Sequence, residues 1–275
     1  MRIKVYRIPL YVIAILFAIL FILPLFWMIS TSLKDSRQLL VYPPILFPNP
    51  QTWSNYPTAL EAQPLLMFAG NSLLIAIAST FGTILSNTII AYGFARIPWK
   101  GRDIIFIIVI STLMLPFQVV MIPLFIIFTR LHWTNTWLPL IIPAFFGNPF
   151  AIFLLRQFMK GIPLELSDAA RIDGASEFGI LWRIIVPISF PALVAVGLFQ
   201  FLGSWNDYLG PLIYLNDIGK YPVALGLALY RNTVGITDMG VLMAATLITI
   251  IPILVLFGFA QRYFVQGVTF TGLKG

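Results

Sequence analysis

The stretch Pro163–Pro187, PLELSDAARIDGASEFGILWRIIVP, decides how this chain must be read. It belongs to a charged segment of 28 residues, Arg156 to Arg183, set between long apolar runs. About 20 apolar residues span the hydrocarbon core of a bilayer, so a polar island between two such runs lies on one face of the membrane. The island reads as two short helices with a kink. Pro163 opens the first without loss, because a first-turn N–H has no helical partner. Asp168 lies near the positive end of that helix and three residues from Arg171, both favourable placements. Ala169 and Ala170 give a low surface that another protein can approach closely. Gly174 supplies a turn that tolerates positive φ, Ser176 caps the second helix, and Pro187 marks the entry to the next span. The bland reading of the same residues is a helical hairpin resting at the membrane interface.

Working outward, uncharged runs occupy 8–33, 38–60, 62–95, 104–129, 131–155, 184–206 and 239–261. Each is long enough to cross with some tilt, but 38–60 holds five prolines among Asn, Gln, Ser and Thr, which forbids a continuous helix. It reads as an extramembrane loop. Six spans remain, at 8–30, 69–94, 104–128, 136–156, 187–208 and 239–260. The fold class is therefore an all-α membrane protein. Its parts are residues 1–30 (N-terminal end and first span), an external Pro-rich loop 31–67, a transmembrane domain 68–260 and a tail 261–275. With the N-terminus inside, 12 basic residues fall on the cytoplasmic side and 5 outside, while the acidic residues divide 5 and 5. The net charge of +7 is thus a topological bias and not a nucleic-acid footprint. The N-terminus begins with basic residues like a signal peptide, but its apolar run is too long and no small-residue cleavage site follows, so it is expected to stay as the first span.

What the spans lack is equally informative. None carries Lys, Arg, Asp, Glu or His in its middle. A mid-bilayer charge costs roughly 2.5–3.5 kcal/mol on insertion scales and persists mainly where it carries protons, ions or voltage. Proton-coupled pumps, voltage sensors and embedded hydrolases are thereby disfavoured, whereas a neutral pore is not. There is no cysteine, and the single histidine, His132, beside Trp133, reads as an interfacial neighbour and not a metal ligand. The one Gly-Lys pair, Gly219-Lys220, precedes Tyr221, so no phosphate-binding loop ends in Lys-Ser or Lys-Thr. No catalytic residue, cofactor or metal site is expected. Energy for uphill transport must come from another polypeptide, and the island is the place for it to enter.

Two groups in the spans are candidates for a path or gate. Trp205, Asn206 and Asp207 end the fifth span; they read either as a solute contact near the outer face or as an aromatic-belt anchor leaving the membrane. Gln118, between Pro116 and Pro123, reads either as a path-lining amide or as an interhelical hydrogen bond. Gly82, Ser86, Asn87, Gly197 and Gln200 read as close-packing positions.

Asp168-Ala169-Ala170, three residues, Gly174, nine residues, then Ile184-Ile185-Val186-Pro187 resembles the cytoplasmic signature of the inner-membrane permeases of binding-protein-dependent ABC importers. That signature is Glu-Ala-Ala, three residues, Gly, nine residues, Ile-x-Leu-Pro; the spacing is complete, with Asp for Glu and Val for Leu. Arg171-Ile172-Asp173-Gly174-Ala175-Ser176, Trp205-Asn206-Asp207-Tyr208 and the tail from Gln261 to Thr269, closing Gly272-Leu273-Lys274-Gly275, look like the carbohydrate branch. They resemble the shorter, six-span permease of maltose-type transporters. The resemblance implies the type I importer fold and a coupling helix near 163–176, in which Asp168, Ala169, Ala170, Arg171, Asp173 and Gly174 dock on an ATPase subunit. It implies as partners a second, different permease, two ATPase copies and an extracytoplasmic solute-binding protein, in a prokaryotic inner membrane with both termini cytoplasmic. A similar tail reaches between the ATPases in those permeases, which makes Phe270 and Leu273 the expected anchors. The implied function is half of the path for a sugar or a related polyol or glycerol phosphate. The alternatives are a passive channel for small neutral solutes, or a scaffold that recruits a cytoplasmic protein.

The charge bias generates a topological prediction. In this cysteine-free chain, a cysteine introduced by Ser176→Cys should react with an impermeant maleimide only after the cells are opened. Labelling from outside intact cells would overturn the assignment.

Overall fold

The computed structural model describes residues 8–233 and 239–271, with side chains for 9–230 and 239–262. Among the described residues every regular element is helical: α1 (Ile8–Ser32), α2 (Ser36–Leu39), α3 (Asn55–Ala62), α4 (Leu65–Arg96), α5 (Arg102–Ser111), α6 (Phe117–Arg130), α7 (Leu138–Ile141), α8 (Pro149–Lys160), α9 (Glu165–Ile172), α10 (Glu177–Ile180), α11 (Val186–Ile188), α12 (Phe190–Trp205), α13 (Leu209–Tyr214), α14 (Val223–Thr233) and α15 (Met239–Thr271). Helices satisfy their backbone internally, which is the requirement lipid imposes.

Four stretches are long and apolar enough to cross a membrane as they stand: Pro9–Ser32, Leu65–Arg96, Leu138–Lys160 and Met239–Arg262. The expected spans at 104–128 and 187–208 are not straight rods. Arg102–Met114 meets Phe117–Arg130 at 99°, and Glu177–Ile188 meets Phe190–Trp205 at 80°. Six spans result when each bent pair counts as one. The first bend falls at Pro116, which together with Leu115 is extended, as a proline demands of the residue before it. The second follows a π-helical turn, Leu181–Ile185, and lies between Pro187 and Pro191. Prolines and widened turns are the usual causes of sharp kinks.

The chain forms two compact units, one from the chain up to Leu66 together with Gly226–Ile251, the other from Met67–Leu225 together with Pro252–Gly275. In the first, α1 exposes its apolar side chains from Leu10 to Leu23. The Pro-rich stretch holds α2 and α3 but no continuous helix, and its Tyr42–Pro43 and Asn49–Pro50 peptides are cis. The Asn55 amide donates to the carbonyls of Ser32 and Lys34, both at 2.9 Å. Tyr230 donates its hydroxyl to the Ala59 carbonyl within a core of Ala59, Leu65, Val241, Ala244 and Ala245.

The second unit is organised by α4. Its buried positions recur every three or four residues (Ser72, Ala76, Ser79, Thr83, Asn87, Ala91, Ala95), a stripe at helical period made largely of small side chains. Small residues let backbones close up: a Cβ added at Gly82 would come within 2.5 Å of the Phe145 ring, and one at Gly197 within 3.0 Å of Ile84. The expectation of close packing at both glycines holds. Polar members of the stripe fasten other segments. Ser72 Oγ accepts from the Val223 N–H (2.8 Å), and Asn71 Nδ2 donates to the carbonyls of Gly219 and Tyr221 (both 3.0 Å). The hydroxyls of Ser79 and Ser204 pair at 3.1 Å, and Ser86 donates to the Ala144 carbonyl at 3.1 Å. Asn87, fully buried, accepts the Asn148 N–H at 2.6 Å and donates to the Thr83 carbonyl at 2.6 Å. Asn148 in turn caps α8, accepting the N–H groups of Phe150 and Ala151.

Asn87→Ala leaves the half-buried Asn148 N–H without its acceptor. It should lower unfolding stability in detergent by about 1–3 kcal/mol, whereas Asn206→Ala, at an exposed position, should stay within about 0.5 kcal/mol of the parent. Equal stability of the two variants would show that α4 does not depend on this amide.

Candidate functional site

The polar segment folds as the sequence implies, with two corrections. The first helix, α9, begins at Glu165, two residues after Pro163, and not at the proline itself. Gly174 has φ +82° with nothing within 4 Å of an added Cβ, so its constraint is backbone conformation alone. Ser176 is extended and accepts the Gly179 N–H at 3.2 Å, capping α10 as expected. The second correction concerns the alanine pair. Ala170 is buried, part of the unit's own core with Ala91, Tyr92, Leu155 and Ile180, so only Ala169 belongs to the outer face. On an eight-residue helix, neighbours about 100° apart cannot both face a partner when one of them packs inward.

Arg171 is the centre of the local electrostatics. It donates to Asp168 at 2.6 Å and to Glu177 through Nε at 2.6 Å and a terminal nitrogen at 3.3 Å. Glu177 also accepts the Tyr92 hydroxyl of α4 at 2.6 Å. Arg171 and Tyr92 hold the Glu177 carboxyl below the usual carboxylate range, and Glu177 raises the guanidinium of Arg171 in turn. The i,i+3 pairing of Asp168 with Arg171 was legible in the sequence. The Glu177–Tyr92 bond was not, since 85 residues separate the partners and no local pattern announces it.

Two more arginines tie the segment's flanks down. Arg96, buried at the end of α4, donates to the Pro163 carbonyl at 3.3 and 3.4 Å. Arg156, buried on α8, donates to the Phe94 carbonyl (3.2 Å) and to Asp103 (2.8 Å), with its guanidinium 3.8 Å from the centre of the Phe106 ring. The outer face is left with Glu165, Asp168, Ala169 and Asp173, and with exposed apolar side chains at Leu166, Ile172 and Phe178. Ile172 is 87% exposed.

The second candidate group separates. Trp205 is buried, stacked on Phe201 at 5.7 Å, and is a packing residue in this unit. Asn206 and Asp207, with Phe117, Tyr208 and Leu209, line an open recess of about 390 Å³. Within it Asn206 donates to the Leu202 carbonyl at 2.9 Å, and Asp207 accepts the Gly210 N–H at 3.0 Å. Gln118 is exposed, next in sequence to Phe117 of the recess, and its side chain forms no interhelical hydrogen bond among the described residues. Of the tail positions, Leu273 and the side chain of Phe270 lie outside the described residues.

Residues 78–270 match the family described as "Binding-protein-dependent transport system inner membrane component". Among curated relatives, the arabinooligosaccharides transport system permease protein AraQ of Halalkalibacterium halodurans is 36% identical over 94% of this chain and 93% of its own. The trehalose/maltose transport system permease protein MalG of Thermococcus litoralis is 34% identical over 98% and 97%. The sulfoquinovosyl glycerol transport system permease protein SmoH of Agrobacterium fabrum is 33% identical over 92% and 88%. A chain from the crystal structure of a bacterial ABC transporter involved in the import of the acidic polysaccharide alginate matches with a TM-score of 0.79 at 22% identity, covering 96% of this chain and 99% of that one. The fold is that of a type I ABC importer permease.

Glu177→Gln should loosen the joint between α9 and α10, seen as faster amide hydrogen exchange over residues 165–180. The sign of the pH effect follows from the lowered carboxyl: its contribution is complete above the ordinary Glu value of about 4.3 and is lost only as pH falls through its lower folded value. Wild-type protection, corrected for intrinsic exchange, should therefore be unchanged from neutral pH to about 5. Equal protection in variant and parent would mean that the ion pair does not hold the joint.

Proposed function

The chain belongs to the binding-protein-dependent transport system inner membrane component family; it is a transporter subunit and not an enzyme, and from that premise we propose that it forms half of the translocation path of an ATP-driven carbohydrate importer. The substrate class is an oligosaccharide or a related glycoside or polyol, supported by the sugars named for the relatives AraQ, MalG and SmoH. The outer face of α9 docks on a cytoplasmic ATPase subunit. Two ATPase copies, a second and different permease, and an extracytoplasmic solute-binding protein complete the assembly. Both termini and residues 157–186 face the cytoplasm of a prokaryotic cell; 31–67 and 209–238 face outward, in keeping with the division of basic residues.

The observation that carries this reading is the contrast between the two sides of α9. Its inner side is fixed by Ala170 in the core and by the Arg171–Glu177–Tyr92 chain of bonds, while its outer side leaves Asp168, Ala169, Ile172 and Asp173 free to touch a partner. A passive pore has no use for a contact surface rigidly joined to a span. Asn206 and Asp207 in the recess are the positions of this chain placed to meet a solute. Phe270 and Leu273 extend the ATPase contact through the tail.

Co-expression with candidate ATPase, permease and binding-protein chains, followed by reconstitution in liposomes, tests the proposal. Uptake of a labelled oligosaccharide should require ATP and binding protein together. Ala169→Arg, at an exposed position, should abolish that uptake and release the ATPase while leaving the fold intact. Gly174→Val should act likewise, because Val disfavours a φ of +82°. Solute flux without ATP would identify a passive channel, and ATPase binding with no flux under any condition a scaffold.

A further inference from the structure

At the end of α1 the chain changes character abruptly. The helix is exposed from Leu10 to Leu23, whereas Ser30, Thr31, Ser32, Leu33 and Lys34 are all buried. Trp27, half-exposed, precedes this change, and the first charged residues after the helix, Lys34 and Asp35, follow it. Trp near the end of a lipid-facing helix, followed at once by charge, sits at the depth of the lipid headgroups.

Lys34 is 3% exposed, with its ammonium 4.3 Å from the centre of the Trp27 ring. Among the described residues it has no carboxylate or carbonyl partner. The adjacent Asp35 is turned to α2, where it accepts the Gln38 N–H at 2.8 Å. Burial pushes the Lys34 ammonium below its ordinary value. Thr31 Oγ1 is likewise buried and unpartnered. Both residues line one cavity of about 270 Å³, together with Trp27, Ser36, Leu39 and Ile45. A buried cation and a buried hydroxyl, both lacking acceptors and facing the same space, each leave a desolvation cost unmet.

We propose that this cavity binds the phosphate-bearing headgroup of an anionic phospholipid. Lys34 supplies the charge and Thr31 a hydroxyl donor, while Leu39 and Ile45 receive the apolar stem below the headgroup. The shared chemistry is that of a phosphate ester. The apolar lining residues, and the position at the end of a helix apolar enough to cross a membrane, favour a lipid over a free ion. This site is independent of the polar segment and of the recess at Asn206.

The full chain is reconstituted in nanodiscs of phosphatidylcholine with a rising fraction of phosphatidylglycerol, and tryptophan quenching by brominated phosphatidylglycerol is compared with quenching by brominated phosphatidylcholine. Trp27→Phe identifies the local component of the signal. Lys34→Met should lower the phosphatidylglycerol preference by about fivefold, Lys34→Arg should retain it, and Thr31→Val should weaken it less. Circular dichroism and thermal melting establish that each variant is folded; if Lys34→Met is not, Thr31→Val carries the test. An unchanged preference in a folded variant overturns the proposal. So does displacement by millimolar inorganic phosphate without any lipid preference, which would assign the cavity to a free anion.

Discussion

In a bilayer, apolar side chains gain nothing by leaving lipid for one another, so the second unit has to be held by close packing and by polar groups that find each other. Nearly all of that burden falls on one face of α4. Asn71 and Ser72 bind the stretch 219–223, Ser79 binds Ser204, Ser86 and Asn87 bind Ala144 and Asn148, and Gly82 lets the Phe145 ring lie against the backbone. The polar groups are short and uncharged, so each can be satisfied locally at small cost when the helix inserts. The two charged members of the system, Arg96 and Arg156, sit where α4 and α8 leave the apolar zone, and each spends its donors on a backbone carbonyl or a carboxylate. Charge is thereby confined to the ends, and the middle of each span stays neutral.

The bends at Pro116 and before Phe190 belong to the same logic. A break in a membrane helix is tolerated where protein or a water-lined recess can take up the freed backbone groups. One side of the first bend, at Phe117, lines the recess that also holds Asn206 and Asp207. Irregular backbone and the polar candidate residues thus occur together at one recess.

How far the sequence could be read depended on whether the signal was local. The span limits followed from gaps between charges, and the elbow of the polar segment from Gly174 and Ser176, because each rests on neighbouring residues. The loop at 38–60 was recognisable as a false span because proline acts within one turn. By contrast, the inward turn of Ala170, the burial of Trp205 and the Glu177–Tyr92 bond depend on partners distant in sequence. An i,i+3 pairing rule finds Asp168 with Arg171 but is blind to Tyr92. The bends are half-legible: Pro116 stands in the third span, but the same residue type leaves α1, with Pro24, a single helix. Where the segments beside a proline can pack separately, it becomes a corner; where they cannot, it remains within a rod.

The single hydrogen bond from Tyr92 to Glu177 has a mechanical meaning. Tyr92 lies near one end of α4 and Asn71 near the other, about 32 Å apart at 1.5 Å per residue, and Asn71 grips the backbone at Gly219 and Tyr221. A continuous helix of this length is stiff along its axis. The polar segment is thus bonded to one end of α4 through the tyrosine, bypassing the many residues of chain that join them, and the loop at Gly219 and Tyr221 is bonded to the other end through the amide. One stiff rod spans the distance between a phenol and an amide.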